Sequence, residues 1–129
     1  DKQSIEGKVG YSASTTSISP TEIYCGGTTN EQLTIKPRSV FTFNAMVTGR
    51  DDTTGDVCSF QFIGTIKRDS INNTILSGAT KSILIRDDSN FDVVIDVDDT
   101  NESLRLTVTA ATTNLTKWIA TVDFVEVLF

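Results

Sequence analysis

The densest group of residues able to do chemistry is a run of oxygen-bearing side chains: Asp96, Asp98, Asp99, Asn101 and Glu102. Carboxylate and amide oxygens are the ligands that Ca²⁺ prefers. A calcium loop, however, needs a glycine where Asn101 stands and a glutamate where Thr107 stands. Asp, Thr and Asn in succession are typical of a turn whose side chains bond the backbone. The run therefore predicts a hairpin turn without a metal, and any cation present would lie at Asp96, Asp98 and Asp99.

A second acidic group and one aromatic ring are the candidate ligand-binding residues. Asp51, Asp52 and Asp56 occupy a loop flanked by glycines, which suits a solvated loop, a cation or an amino-bearing ligand. Tyr24 precedes a Gly-Gly turn, and an exposed ring there would stack on a sugar face. Trp118 follows a strand alternation, so it is expected in the core or at a subunit contact.

Catalysis is disfavoured by what the sequence lacks. There is no histidine, which excludes Ser-His, Cys-His and histidine-metal chemistry. Cys25 and Cys58 lack the C-x-x-C spacing of zinc or redox sites, and they are either two free thiols or one disulfide. Glycoside hydrolysis needs two acids in a pocket, and no desolvated pair is recognisable. We expect no cofactor and no enzymatic activity.

The size and the charge of the chain limit the kinds of partner that it can have. At 129 residues with 38% hydrophobic residues, the chain suits one folded domain. A formal net charge of −6, with only 11 scattered Lys and Arg, disfavours nucleic acid. No apolar run is long enough to insert into a membrane as a helix. Because the first residue is not methionine, the sequence is expected to be a piece of a longer protein.

Alternation of apolar and polar residues dominates from residue 31 onward. In residues 91–97 one face is hydrocarbon and the other mostly carboxylate, which is typical of a half-buried strand. Similar patterns predict strands at 22–25, 32–36, 40–47, 57–67, 91–97, 104–110 and 117–128, with two further short strands at 75–76 and 83–85. These strands predict an all-β fold: an antiparallel β-sandwich, jelly-roll-like, of about eight strands.

The two ends of the chain differ from this pattern. Residues 1–19 are small, polar and rich in hydroxyls, and are expected to be a polar linker or a loosely docked first strand before a domain at 20–129. The last strand is apolar on both faces. One face carries Trp118, and the other carries Ile119, Val125, Val127 and Phe129. The second face lies either under another layer or, as we expect, against another subunit.

Residues 21–127 resemble the small β domains of tailed-bacteriophage virion proteins, such as tail fibres and other receptor-binding or decoration proteins. The residues that carry this resemblance are Gly26-Gly27, Phe41-Thr42-Phe43, Gly64, Ile66, Arg68, Asp98-Asp99-Thr100-Asn101, Leu104, Leu106, Val108, Thr109 and Trp118-Ile119-Ala120-Thr121-Val122. None of them is a catalytic motif, so no site is carried over.

The resemblance implies a non-enzymatic head domain at the C-terminal end of a tail fibre, located on the virion. It further implies a homotrimer that binds a host cell-surface glycan or protein through its loops. A free-standing carbohydrate-binding module or adhesin, and a purely structural capsid decoration domain, are the alternatives.

Overall fold

The computed structural model describes residues 4–71 and 73–128, and in these residues the fold is all-β and antiparallel, as predicted. Nine strands follow one another: β1 Ser4–Thr15, β2 Thr21–Cys25, β3 Leu33–Thr34, β4 Ser39–Asp51, β5 Val57–Arg68, β6 Thr74–Arg86, β7 Asp92–Asp98, β8 Ser103–Thr109 and β9 Thr116–Leu128. The described residues contain no helix, and hence none that could cross a membrane.

The strands form one strongly curled sheet in the order β3-β8-β2-β1-β9-β4-β5-β6, with β7 also paired to β8. The curl brings the β7–β8 half opposite the long β1, β9, β4 and β5 strands. A sheet of this kind buries its concave face as a sandwich does, because apolar side chains from the two halves meet there. The curled sheet stays open between β6 and β7. At this opening the Lys81 ammonium lies 2.6 Å from the Asp92 carboxylate.

Alternation within each strand decides which side chains enter the core. Along β4 every second residue is buried, and paired residues on neighbouring strands share a face. Phe43 of β4 pairs with Phe124 of β9, and Ala45 pairs with Val122. Trp118 is fully buried and meets the ring of Phe91 edge to face, at 6.1 Å between ring centroids. The core thus joins the two halves of the curled sheet.

The two short strands predicted at 75–76 and 83–85 are one 13-residue strand, β6. The intervening Ser, Gly, Ala and Thr residues suggested a break, but all of residues 77–82 except Ser77 pair with β5. Register shifts occur between Ser59 and Phe60 and between Thr65 and Ile66. β6 ends the sheet, so its far edge and most of its side chains are exposed.

The polar N-terminal segment contains β1, which lies between β2 and β9 rather than ahead of the domain as a linker. β1 pairs with β9 over twelve residues, and it buries Tyr11. Backbone pairing with β9 and the packing of Val9, Tyr11 and Ala13 at the core hold this strand. The sheet therefore runs across the 19/20 boundary predicted from composition.

Cys25 and Cys58 are both free thiols. Cys25 ends β2 and pairs with Tyr11 of β1, whereas Cys58 lies on β5 opposite Gly49 of β4. Burial raises the pKa of the Cys58 thiol to about 11. Of the two arrangements that the sequence left open, the structure has the free thiols.

Candidate functional site

Asp51 is a buried structural residue of the loop that follows β4. Its Oδ1 accepts hydrogen bonds from the backbone N–H groups of Thr53 and Thr54, at 2.8 and 3.0 Å. Its Oδ2 accepts from the Thr112 hydroxyl at 2.7 Å and from the Asn114 amide at 3.3 Å. These bonds, the Thr54 N–H foremost, lower the pKa of Asp51 to about 2. The carboxylate therefore joins this loop to the one before β9.

Of the other predicted ligand-binding residues, Asp52 and Asp56 lie in the same loop as Asp51, whose backbone N–H donates to the Asp56 carbonyl at 2.9 Å, whereas Tyr24 does not. Asp52 is exposed, with its carboxylate 3.5 Å from the ammonium of Lys117, and Asp56 is half-buried. Tyr24 is half-buried on β2, which β1 and β9 separate from β4. The strand register puts Tyr24 level with Thr48 of β4, three strand spacings of about 4.8 Å away, and Asp51 lies three residues farther along β4. Ligand binding by Tyr24, and by Asp52 with Asp56, stays a prediction for two separate places.

The acidic run near residue 98 forms the turn between β7 and β8. Asp98 accepts the backbone N–H groups of Thr100 and Asn101, both at 3.1 Å, and the Asn101 amide at 2.7 Å. The Asn101 amide is the main cause that lowers the pKa of Asp98. Two parallel bonds of 2.8 Å join Asp96 to Arg105 on β8.

The third acid of that run, Asp99, points elsewhere and accepts the backbone N–H of Thr74 at 2.7 Å. Asp96, Asp98 and Asp99 thus each accept hydrogen bonds from different groups of the protein. Among the residues that the structure describes, no group of three or more Cys, Asp or Glu side chains is placed to hold a metal ion.

The outer face of the long strands carries the predicted interface residues. Ile119, Val125 and Val127 of β9 are 60%, 48% and 39% exposed; Phe129 lies outside the described residues. Met46 of β4 and Ile63 of β5, 43% and 52% exposed, extend the apolar surface across two further strands. No layer of the described chain covers it, so of the two placements considered for this face the outward one is observed.

A cleft that the sequence did not reveal lies where β4 begins and β5 ends. It encloses about 560 Å³, against about 290 to 400 Å³ for three other clefts. Its lining residues are Arg38, Ser39, Val40, Lys67, Arg68, Asp69, Ser70, Asn73 and Ile75. In the sequence, residues 37–39 lie between the strands predicted at 32–36 and 40–47, and they were interpreted as a break. The positive charge of the Lys-Pro-Arg-Ser segment within an acidic chain is the sequence feature that could have indicated the cleft.

Arg38 stands at the edge of this cleft in an unusual backbone conformation. Its φ is 59°, in the left-handed region that residues with a Cβ seldom adopt. The next residue, Ser39, is buried, and its hydroxyl donates to the Lys36 carbonyl at 2.7 Å and contacts the Glu126 carboxylate at 3.2 Å. The turn is thereby fixed from inside, and Arg38 stays exposed.

Neither a protein-family model nor a curated protein matches the sequence. Among solved structures the chain is similar to a tailspike protein, gp49 from Acinetobacter baumannii bacteriophage Fri1, a capsular polysaccharide depolymerase. That alignment has 19% identity and a TM-score of 0.49, and it covers 97% of this chain and 18% of the tailspike chain. The tailspike protein of Acinetobacter baumannii phage AM24 aligns with 7% identity and a TM-score of 0.40, over 96% of this chain and 26% of that one.

This chain thus spans 18% and 26% of the length of the two tailspike chains. Both TM-scores lie below 0.5, so no residue role is transferred from them.

Proposed function

We propose that this chain is a non-enzymatic attachment domain of a phage tail appendage, which assembles as a homotrimer and binds a glycan or protein of the host cell surface. The resemblance of residues 21–127 to virion β domains supports the phage assignment. The observation that carries the assembly role is the outer face of β9, whose other face fills the core. An apolar surface of this kind is typical of a protein contact.

A binding role is favoured over catalysis by the chemistry of the cleft. Its described lining residues include one carboxylate, Asp69, which already accepts the backbone N–H groups of Ile71 and Asn73 at 2.8 and 2.9 Å. Hydrolysis of a glycosidic bond ordinarily uses two carboxyl groups facing the scissile bond. The polysaccharide depolymerase activity named for the Fri1 tailspike is therefore not part of this proposal.

Cell attachment is tested with the fluorescently labelled chain and a panel of bacterial strains. We expect saturable binding to at least one strain, lost after periodate treatment of the cells for a glycan receptor or after protease treatment for a protein receptor. A trimer that binds no strain would contradict the attachment role and favour the capsid decoration alternative. A monomer that binds glycans without any assembly would favour a free-standing carbohydrate-binding module.

Assembly is tested by placing charges on the outer face of β9. Burial of apolar surface stabilises an interface by roughly 25 cal/mol per Å². A buried charge without a partner costs free energy instead and therefore opposes association. We expect Val125→Asp with Val127→Asp to convert a trimer to a monomer in analytical ultracentrifugation, with an unchanged circular dichroism spectrum. The matched control is Val94→Asp on β7, because Val94 is 48% exposed, as Val125 is. A monomeric unmodified chain at micromolar concentration would overturn the trimer.

A further inference from the structure

The cleft beside Arg38 has an aliphatic floor built by three adjacent strands. Val40 of β4 pairs with Lys67 of β5, and Lys67 pairs with Ile75 of β6. Ile75 is 48% exposed, and the strand register places Lys67 between Val40 and Ile75 on one face of the sheet. A volume of about 560 Å³ lies within the usual range of small-ligand sites. The floor offers aliphatic side chains against which the C–H groups of a sugar ring can pack.

The described residues of the loop from β5 to β6 form a polar wall held by hydrogen bonds. Asp69 holds this loop, because its carboxylate accepts the backbone N–H groups of Ile71 and Asn73 and, at 3.2 Å, the Asn73 amide. The Asn73 N–H is the main cause that lowers the pKa of Asp69, and the charge of Lys67 adds to it. Asn73 and Ser70 line the cleft and carry hydrogen-bonding groups suited to hydroxyls.

Two exposed cations complete the cleft. Neither Arg38 nor Lys67 lies within ion-pair distance of a carboxylate in the described part of the chain, although acids outnumber bases 17 to 11 overall. Arg68 is engaged below them, donating to the Ile35 carbonyl at 2.7 Å. Backbone strain of the kind seen at Arg38 clusters at ligand sites. The cleft therefore concentrates positive charge where the chain as a whole is negative.

We propose that this cleft binds a carboxylate-bearing sugar of an acidic polysaccharide, with the sugar carboxylate on Arg38 and Lys67 and the ring on Val40 and Ile75. The guanidinium of Arg38 can donate two parallel hydrogen bonds to a carboxylate. This inference rests on the proposed attachment function and names the ligand class of one site. Val40 pairs with Val127 of β9, so the cleft adjoins the face proposed for assembly, and Lys67 and Ile75 lie one and two strands farther from β9.

The test is titration of the assembled chain with oligogalacturonate, oligomannuronate and a hyaluronan tetrasaccharide, followed by calorimetry and by NMR shifts. We expect at least one acid to bind and its methyl ester to bind at least about tenfold more weakly, since the ester lacks the negative charge that strengthens the hydrogen bonds from Arg38 and Lys67. Arg38→Gln and Lys67→Gln should each weaken binding by about tenfold. The matched control is Lys8→Gln, an exposed cation on β1 that should leave binding unchanged.

Three results would overturn the inference: no binding of any of the three acids, equal binding of acid and ester, or wild-type affinity in Arg38→Gln and Lys67→Gln. Unchanged thermal midpoints in these variants exclude unfolding as the cause of a loss. Cell attachment separates the two proposals. If cells are bound equally well by the Arg38→Gln, Lys67→Gln double variant, the cleft inference fails and the attachment function stands. If the cleft binds acids but the chain binds no cells, the attachment function fails alone.

Discussion

Trp118→Ala is expected to destabilise the domain by about 3 to 5 kcal/mol, enough to unfold much of it at physiological temperature if the native stability lies at the low end of the usual range of about 5–15 kcal/mol. The indole is fully buried, and it packs so closely over Gly49 that a Cβ there would lie 2.5 Å from the ring. Its Nε1–H donates to the Thr15 hydroxyl at 3.1 Å. Removal therefore leaves a cavity and an unpaired hydroxyl.

The measurement is urea unfolding followed by circular dichroism. The matched control is Ile119→Ala on the same strand, where the side chain is 60% exposed and the expected change is within about 0.5 kcal/mol for the monomer. Trp118→Phe should lie between the two, because it keeps most of the volume and loses the hydrogen bond. A normal unfolding midpoint for Trp118→Ala, together with weaker glycan binding, would instead identify Trp118 as a sugar-stacking residue.

Asp51→Ala is expected to lower the thermal midpoint by on the order of 10 °C. The change leaves two backbone N–H groups, the Thr112 hydroxyl and the Asn114 amide without their common acceptor. The loop after β4 and the loop before β9 then lose the side-chain part of their connection and keep the backbone hydrogen bond from Asp52 to the Leu115 carbonyl. The matched control is Asp52→Ala, because Asp52 is exposed and makes one surface ion pair with Lys117.

The same residue predicts a pH dependence. The pKa of Asp51 is about 2 in the folded chain, below its value of roughly 3.9 in an unfolded chain. A depressed pKa means that the contribution of this carboxylate to stability is complete above about pH 4 and is lost as the pH falls toward 2. We expect thermal midpoints of Asp51→Asn to fall less steeply than wild type over this interval. Parallel profiles for the two proteins would contradict the structural role of the carboxylate.

The short-range alternation of apolar and polar residues determined by itself the positions of most strands and the side of each strand that faces the core. Period-2 alternation is a local property, so it identified the buried faces of β4, β8 and β9 without knowledge of the partners, and it left Trp118 either in the core or at a subunit contact. Turn chemistry is equally local. Asp98 was recognised as a turn residue because its side chain bonds the backbone of its own next few neighbours.

Only the tertiary structure decided what depends on pairing between distant segments. β1 and β6 look polar or interrupted in sequence, yet both are full strands, because backbone hydrogen bonds to β9 and β5 do not depend on side-chain type. Asp51 and Asp52 are adjacent in the chain, but the loop around Thr112 buries only the first. The cleft joins Arg38, in the turn before β4, with Lys67 of β5 and Ile75 of β6, and the register of these strands is set by long-range pairing that no local pattern encodes.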